Sequence, residues 1–429
     1  PYPIETSLPD SAGGRTLCVG IVDLFETTSA RDFPTSGSTE GEGDRTILCA
    51  REQKDLQNRG LLYCKDHPFP HVQRERMNEP ANLEFSLGSF RTIVSFTKDF
   101  PVYAKENSHL VVADAHTAVL FPQPGSRRVI VPAGEEGKSW NTIERILDHA
   151  LNRSLDRGSL FVGIGGGVVC DVTAFAASIY MRGARLHLIP TTLLAMVDAS
   201  FGGKTAINFR GWKNMVGTFY PAERIWIYPE ALRTLPEREL LSGMAEVIKA
   251  AMLQDEELFR LLERIGEQKD PLKELPGNTN EQIIRRSLQV KAFYVTRDLR
   301  EQELRTHLNL GHTFAHGLEA ATHFKTYTHG EAVAWGLYRA MDAGMSMGLT
   351  DPVYAERVRT LLTRFGYREQ VSGVEPEEIF QAMQKDKKKQ GTLRFVLQRD
   401  LGDTLLTPLD PSLVKEVIAR GIVGAKRKV

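Results

Sequence analysis

Three histidines stand close together in the carboxy-terminal half of the chain and are of a residue type that binds metal ions. His312 and His316 are four residues apart, so they share one face of a helix, and His329 follows at the start of the next helical segment. Imidazole nitrogens with one carboxylate commonly bind a divalent metal and leave one position open. From spacing alone, His312 and His316 are the predicted ligand pair, with zinc as the expected ion. The alternative, in which these histidines cap helices or satisfy buried polar groups, stays open.

An acid and a base lie on one face of another predicted helix. Glu246 and Lys249 are three residues apart within the sequence GMAEVIKAAM. Two ionisable groups among Met, Ala, Val and Ile need partners, because an unpaired buried charge is costly. Pairing with another charged segment explains them as well as a role in chemistry does.

Two glycine-rich turns in the amino-terminal half are candidates for anion binding. The glycines at 165–167 follow an apolar run and precede a helical segment. This order brings bare backbone amides and the positive end of a helix against a pyrophosphate. The second turn, at 202–205, reads GGKT but lacks the spacing of a P-loop. The two turns predict a nucleotide site beside a substrate site, and a tight turn that requires positive φ is the alternative for the three glycines alone.

Several cations are separated in sequence, and each by itself is a solvated surface charge. Gathered in one cleft, they would hold a substrate that has both a carboxylate and a phosphate, since arginine and lysine divide those tasks well. The candidates are Arg182, Lys213, Lys291, Arg305 and Lys387, the last within the charged run 385–389.

The elements that must position these residues change character along the chain. From about residue 82, apolar strand-like runs alternate with helices, which predicts a Rossmann-like, doubly wound parallel sheet. Asp114 ends one of these runs, where an acid either holds a ribose hydroxyl or caps a helix. After residue 235, three-to-four-residue apolar spacing predicts an all-α metal-binding domain. The predicted division is an extension at 1–80 with a mobile loop at 27–44, an α/β domain at 81–235 and a helical domain at 236–429.

Composition narrows the class of protein. The 429 residues contain 54 Lys plus Arg and 54 Asp plus Glu, and this zero net charge argues against a nucleic-acid partner. The four cysteines form no CxxC pair, which favours a reducing, cytoplasmic setting. No apolar run approaches the roughly 20 residues of a membrane span, and no signal-peptide pattern is present. A small-molecule ligand is the expected partner.

Taken together, the motifs from about residue 82 to 401 resemble the 3-dehydroquinate synthase family of sugar-phosphate cyclases. The matching elements, in order, are GEEGKS, GGGVVCDVTAFAASIYMRG, PTTLLAMVDASFGGKTAIN, KNMVGTFYP, LRTLPERELLSGMAEVIK, LNLGHTFAHGLE, HGEAVAWG and DKKKQGTLRFVL. Eight ordered blocks are far more specific than any one of them. Departures are the 80 or so residues before the matching region, Leu299 after Asp298 in place of a second acid, and Glu303 in place of a usual glycine.

The resemblance implies a role for each of a set of site residues. The implied NAD contacts are Asp114, Glu135, Lys138, Gly166, Gly167, Asp171, Thr191, Thr192, Lys213, Thr234 and Glu239. The implied metal ligands are Glu246, His312 and His329, so that His316 stands beside the substrate phosphate instead of on the metal. The implied substrate-binding and catalytic residues are Arg182, Asp198, Lys204, Asn214, Lys249, Lys291, Arg305, Asn309, His316 and Lys387.

The resemblance also implies an activity, that of an NAD- and metal-dependent carbon–oxygen lyase. Its members convert 3-deoxy-arabino-heptulosonate 7-phosphate to 3-dehydroquinate and phosphate in the shikimate pathway, by transient oxidation, phosphate elimination, reduction and aldol closure. Zinc is the expected ion, cobalt the alternative, and a homodimer the expected assembly. The alternatives are a cyclase acting on sedoheptulose 7-phosphate (an epi-valiolone or desmethyl-deoxygadusol synthase), an amino-dehydroquinate synthase, a metal-dependent polyol dehydrogenase, and a non-enzymatic paralogue. Retained Lys204, Arg305, Asn309 and His316 favour the carboxylate-bearing substrate.

Overall fold

The structure is a computed structural model that describes residues 62–63, 81–103, 108–123, 128–272, 277–390 and 393–424. The predictions for the extension at 1–80, including the loop at 27–44, therefore lie outside the described residues apart from 62–63. Side chains from 386 to 390 lie outside them as well.

A mainly parallel sheet forms the amino-terminal part of the described chain. Its strands are β2 (Asn82–Leu87), β3 (Phe90–Phe96), β4 (His109–Asp114), β5 (Arg128–Val131), β6 (Leu160–Gly165), β7 (Arg185–Pro190) and β10 (Arg224–Ile227). Their order across the sheet is β2-β3-β10-β7-β6-β4-β5. Every neighbouring pair is parallel except the edge hairpin of β2 and β3. The alternation of apolar runs and helices thus predicted the correct class of sheet.

Helices connect the strands of this sheet, as the alternation of apolar runs and helical segments predicts. They are α1 (Ala115–Leu120), α2 (Trp140–Leu151) and α3 (Gly167–Ile179). Every residue of β6 is buried, and so are eight residues of α3, because the sheet interior lies beneath them. Strand β4 has β5 on one side and β6 on the other, so the connections reverse direction there. Open α/β sheets bind ligands at the carboxyl ends of the strands at such a reversal.

A second hairpin lies against α3 and was not predicted from the sequence. Strands β8 (Lys204–Phe209) and β9 (Trp212–Phe219) pair antiparallel. The hydroxyl of Thr218 on β9 donates to that of Ser178 on α3 at 2.9 Å. A Cβ on Gly217 would lie only 1.8 Å from the carbonyl oxygen of Thr205, so the two strands approach more closely than a side chain allows.

Helices dominate from residue 237 onward. They are α4 (Glu237–Gln254), α5 (Glu256–Gly266), α6 (Gly277–Arg297), α7 (His312–Ala321), α8 (His329–Ser346), α9 (Pro352–Arg364), α10 (Pro376–Gln390) and α11 (Pro411–Arg420). None of the described helices is long and apolar enough to cross a membrane. The predicted order of an α/β part followed by a helical part is confirmed.

The helical part also contains strands, which the all-α description did not include. Strands β11 (Arg394–Asp400) and β12 (Asp403–Pro408) form an antiparallel hairpin, and β1 (Leu62–Tyr63) pairs with β12. Buried Gln398 ties the hairpin to α4 by donating to the carbonyl of Met252 at 2.9 Å. The apolar run of β11 is only three residues long and is followed by polar Gln398, so neither its spacing nor its length predicted a strand.

Close packing of α8 on α4 gives a first testable prediction. A Cβ on Gly330 would lie 2.0 Å from the carbonyl oxygen of Ser242, whose hydroxyl accepts a hydrogen bond from the Gly330 amide at 3.0 Å. The variant Gly330→Ala must therefore push the two helices apart. We expect the free energy of unfolding to fall by about 1–3 kcal/mol, measured by urea denaturation. Since His329 is the adjacent residue, metal affinity should fall as well.

Gly158→Ala provides the matched control for this prediction. A Cβ at that position meets its nearest atom, a carboxylate oxygen of Asp156, at 3.4 Å, which is ordinary contact. Its denaturation midpoint should stay near that of the unmodified chain. Equal midpoints for the two variants would show that the α4–α8 contact adapts to a methyl group.

Candidate active site

The end of β4 lies beside the end of β6, where the sheet connections reverse. The Asp114 carboxylate caps α1 by accepting from the Thr117 amide at 2.8 Å, and the Thr117 hydroxyl donates to the Ile164 carbonyl of β6 at 2.9 Å. The helix-capping alternative for Asp114 is therefore correct. The cap uses Oδ1 and joins the two strand ends at which a nucleotide is expected.

The glycines at 165–167 are explained by close packing and not by a positive φ. None of its three residues has a positive φ, so the tight-turn alternative is wrong. A Cβ on Gly165 would lie 2.6 Å from Val169, one on Gly166 3.1 Å from Thr192, and one on Gly167 3.3 Å from Ala199. Among the residues that the structure describes, no side chain caps the amino terminus of α3. Its first amides and the positive helix end remain available to an anion.

A charged network extends from this turn onto the hairpin. The Lys138 ammonium lies 2.5 Å from the Asp171 carboxylate and also contacts the side chain of Asn214. Burial raises the pKa of Asp171, and Lys138 opposes that effect. The Glu135 carboxylate accepts from the Asn208 amide at 2.8 Å and lies 3.9 Å from the Lys213 ammonium. The structure thus brings together residues predicted from three separate blocks.

The remaining predicted cofactor residues lie on the PTT loop and near the start of α4. Buried Thr191 donates its amide to the Gly165 carbonyl at 3.0 Å, which joins the PTT loop to the glycine turn. The Thr192 hydroxyl accepts from the Ala195 amide at 3.1 Å. Thr234 ends a short 3-10 helix, and exposed Glu239 lies in the first turn of α4. These two residues therefore lie on either side of the point where the sheet connects to α4.

Three helices bring a carboxylate and two imidazoles to one point. Ligand atoms of Glu246 on α4, His312 on α7 and His329 on α8 all lie within 4.8 Å of one another. The two histidine Nε2 atoms lie 3.4 and 3.5 Å from Oε1 of Glu246. That oxygen is buried and has no hydrogen-bond partner among the described residues. A buried acceptor that faces two imidazole nitrogens fits a divalent ion, which takes such ligands.

Both histidines are oriented through their other ring nitrogen. Nδ1 of His312 lies 3.2 Å from the Leu310 carbonyl, and Nδ1 of His329 lies 3.5 Å from the Glu319 carboxylate. With the proton on Nδ1, the lone pair of each Nε2 points toward Glu246, which is the arrangement that metal-binding histidines need. The His316 ring lies 5.5 Å from that of His312 but is exposed and outside this group. The criterion of a shared helix face did not identify the three metal ligands, because two of them lie on helices other than that of His312.

Electrostatics keep the acid of this group ionised. Burial favours its neutral form, but Lys249 and the two histidines outweigh burial and hold the pKa of Glu246 well below its usual range. Burial lowers the pKa of His312 to about 3. The Lys249 side chain is itself buried and paired with Glu246, so the two charges on this helix face are partners.

A second ion pair lies next to Glu246 and Lys249. The Lys291 ammonium on α6 contacts both the carboxylate and the backbone carbonyl of Asp198, each at 2.6 Å. Asp198 lies in a π-helical turn, Ala195–Ala199, a distortion found frequently at functional sites. Burial lowers the pKa of Lys291 to about 8.

Arg305 fixes the GGKT turn against the loop that follows α6. Its buried guanidinium donates to the carbonyls of Gly202 at 3.1 Å and Leu299 at 2.6 Å. The Asp298 carboxylate accepts hydrogen bonds from three backbone amides of this loop, and Leu299, which stands where the family has a second acid, contributes its carbonyl to Arg305. Glu303, at the usual glycine, has a φ of −142° and needs no left-handed backbone.

Two acids of this region were not predicted from the sequence. The Glu301 carboxylate contacts Lys204 and accepts from the Asn309 side chain at 2.7 Å. Glu319 lies seven residues after His312, on the same face of α7, and contacts His329. Glu319 could have been identified from its position on the same helix face as the metal ligand His312. Glu301 could have been identified from its position in the sequence between Lys291 and Arg305.

Two predicted residues are not placed at this site. Arg182 is exposed at the far end of α3, whose 13 residues separate it from the glycine turn by about 20 Å. Its backbone has a φ of +66°. Lys387 lies on α10, and its side chain is outside the described residues.

A doubly wound sheet followed by helices that carry a Glu-His-His group defines a class of nucleotide- and metal-binding enzyme folds. Two family models identify the member of this class. The model described as 3-dehydroquinate synthase N-terminal matches residues 128–242, and the model described as 3-dehydroquinate synthase C-terminal matches residues 243–389. The chain belongs to the 3-dehydroquinate synthase family, and the resemblance seen in the sequence is confirmed.

Individual relatives and structures agree with this assignment. The 3-dehydroquinate synthase of Microcystis aeruginosa is 40% identical over 292 residues, covering 68% of this chain and 80% of the relative. That of Picosynechococcus is 41% identical over 293 residues, covering 68% and 80%. Among solved structures, 2-epi-5-epi-valiolone synthase from Streptomyces hygroscopicus subsp. jinggangensis, with NAD+ and Zn2+ bound, is 26% identical with a TM-score of 0.67, covering 75% of this chain and 96% of that one. A 2-deoxy-scyllo-inosose synthase is similar in fold, with a TM-score of 0.71.

Proposed function

We propose that this chain converts 3-deoxy-arabino-heptulosonate 7-phosphate to 3-dehydroquinate and phosphate, with NAD and a divalent metal. Relatives at 38–41% identity that are named 3-dehydroquinate synthase support the reaction. One structural observation carries the proposal. Glu246 faces two histidines through one oxygen and Lys249 through the other, beside the buried cations Lys291 and Arg305. A metal site that adjoins buried positive charge suits an anionic, hydroxylated substrate.

The proposed cofactor sites follow from the groups that the fold leaves available. A divalent ion held by Glu246, His312 and His329 would polarise a substrate oxygen, and zinc is the proposed ion with cobalt as the alternative. NAD, held at the glycine turn and the Lys138 network, would accept a hydride and return it. The bound metals named for the two cyclase structures differ, Zn2+ in one and Co2+ in the other, so ion identity requires direct measurement.

The side chains of this chain have separate proposed tasks toward substrate. Lys249 holds a positive charge beside Glu246, so an anionic oxygen generated there is stabilised. Asp198 accepts two hydrogen bonds from the Lys291 ammonium, which has a third N–H that is proposed to serve the substrate. Lys204 and Asn309, held in this structure by Glu301, are proposed to bind the substrate when it arrives.

Lys291 gives the activity a pH dependence of defined sign. Burial lowers its pKa to about 8, so the ammonium is charged below that pH and neutral above it. We expect kcat/KM for the anionic substrate to fall as pH rises through about 8. Arginine stays charged, so the variant Lys291→Arg should lose this alkaline limb in a kcat/KM profile. A limb that persists unchanged in the variant would assign the titration to another group.

The experiment that tests the function is phosphate release from purified protein with catalytic NAD and zinc. The heptulosonate phosphate is compared with sedoheptulose 7-phosphate under the same conditions. Release from the acid substrate without net NADH supports the proposal. Release only from sedoheptulose 7-phosphate would assign the chain to the natural-product cyclases, and net NADH formation would indicate a polyol dehydrogenase.

We also propose a cytoplasmic homodimer. Four large apolar side chains of the β8–β9 hairpin are 40–45% exposed, a patch typical of an interface: Phe209, Trp212, Met215 and Phe219. Arg182 adjoins this hairpin, since α3 and β9 share the Ser178–Thr218 bond. In a dimer formed there, Arg182 lies at the interface and not in the site of its own chain. Light scattering should give twice the chain mass.

The proposed cytoplasmic location rests on a separate observation. Buried Cys170 is a free thiol, which is compatible with a reducing compartment.

A further inference from the structure

Glu319 is a buried carboxylate that contacts an imidazole and an ammonium group from different parts of the chain. Its Oε1 lies 3.5 Å from Nδ1 of His329 and accepts a hydrogen bond from the Lys213 ammonium at 3.4 Å. Only 4% of Glu319 is exposed, so little water is present to replace either contact. One oxygen atom is therefore shared between a residue of the metal group and a residue of the hairpin.

The Lys213 side chain is held in place from three directions. Glu319 accepts its hydrogen bond, Glu135 lies 3.9 Å away, and the ring of Phe324 lies 4.2 Å from the ammonium. Phe324 belongs to the connection between α7 and α8, where its φ of +59° and that of His323, +55°, are left-handed. The connection that leads into His329 is thus also the one that supports Lys213.

The two orienting contacts of the metal group are chemically unequal. His312 donates to the neutral carbonyl of Leu310, within the loop that precedes its own helix. His329 instead faces a carboxylate on another helix. A carboxylate fixes the ring and increases its basicity more than a carbonyl does, and loss of such a partner typically weakens metal binding 10–100-fold.

We propose that Glu319 is a positioning residue that couples the metal centre to the cofactor site, by orienting His329 on one side and Lys213 on the other. The proposal rests on the proposed function for the identity of the two ligands. Metal binding fixes His329 and with it the shared carboxylate. A preordered Lys213 then loses less conformational freedom when NAD binds. By linkage, NAD must tighten metal binding by the same factor.

The test measures binding of zinc and of NAD to the intact chain without substrate. Zinc affinity is obtained by competition with a chromophoric chelator, with and without NAD. NAD affinity is obtained by fluorescence titration, with and without zinc. In the unmodified chain we expect each ligand to tighten the other about fivefold or more, at the low end of measured allosteric couplings. In Glu319→Gln we expect zinc affinity to fall about 10–100-fold and the coupling factor to fall to about one.

Two further comparisons separate positioning from general damage. Glu331→Gln makes the same chemical change at the start of α8, where Glu331 pairs with Arg238 and caps the helix without touching a ligand, so it should retain the coupling. Lys213→Met should also bring the coupling factor to about one, and Lys213→Arg should restore it. The Lys213 side chain is 28% exposed, so these variants test the proposal even where Glu319→Gln unfolds.

The outcomes distinguish this inference from the proposed function. A chain that releases phosphate but shows a coupling factor of one overturns the inference alone. A chain with coupled zinc and NAD binding that acts on neither substrate keeps the inference and overturns the substrate assignment. Equal zinc affinity in Glu319→Gln and Glu331→Gln would show that Glu319 does not position His329.

Discussion

Replacing Glu246 by glutamine is expected to abolish zinc binding and to lower the rate of phosphate release by on the order of a thousandfold. The variant keeps the shape of the side chain but removes the charge that both histidine Nε2 atoms face at 3.4 and 3.5 Å. It also leaves Lys249 as a buried cation without its partner, which is strongly destabilising. Metal content after dialysis and steady-state phosphate release measure the two effects.

Glu256→Gln is the matched control for this change. Glu256 lies on the neighbouring helix α5, is half-exposed and pairs with Arg260 in an i,i+4 contact of small energetic value. It should retain metal and activity. A Glu246→Gln protein that is folded and still retains stoichiometric zinc would show that the metal site lies elsewhere.

The variant Arg305→Lys is expected to lower kcat/KM for the heptulosonate phosphate by about 100-fold or more. Nη1 of the guanidinium donates to the carbonyls of Gly202 and Leu299 together, and the shorter lysine side chain is not expected to reach both. One carbonyl is then left without its donor, at a cost of about 1–3 kcal/mol in unfolding free energy. Displacement of the GGKT turn should also move Lys204. Urea denaturation and steady-state kinetics on the same preparation measure both effects.

Exposed Arg300, in the same loop, provides the control as Arg300→Lys. Its kinetics and denaturation midpoint should stay near those of the unmodified chain. If Arg305→Lys loses stability while kcat/KM is unchanged, Arg305 serves the fold and not the substrate. If the loss is confined to the acid substrate and spares sedoheptulose 7-phosphate, the contact is with the carboxylate.

The central strands β4 and β6 could be predicted because they are buried along nearly their whole length. Each contains a continuous apolar run, which leaves a clear pattern in one sequence. The β8–β9 hairpin could not be predicted in this way, since its side chains alternate irregularly and several apolar ones are exposed. Its stability comes from pairing and from contact with α3, neither of which is local in sequence.

The candidate site shows the same division between local and non-local information. Spacing correctly placed His312 and His316 on one helix face but could not identify Glu246 and His329 as neighbours, because those contacts depend on how α4 and α8 pack. The family resemblance supplied that set. For the glycines at 165–167, the alternative of a turn with positive φ was wrong, since packing against Val169, Thr192 and Ala199 is what excludes a side chain.

The β8–β9 hairpin imposes a constraint on how this site can change during evolution. It carries Lys204 and Asn214, proposed for substrate, and Lys213, proposed for cofactor, on two strands that approach closely at Gly217. A substitution that tilts the hairpin to admit a different sugar phosphate also tilts the cofactor contacts. Lineages that acquire new substrates are therefore expected to vary first at residues on the helices and the loop after α6, which can change without loosening the bound nucleotide.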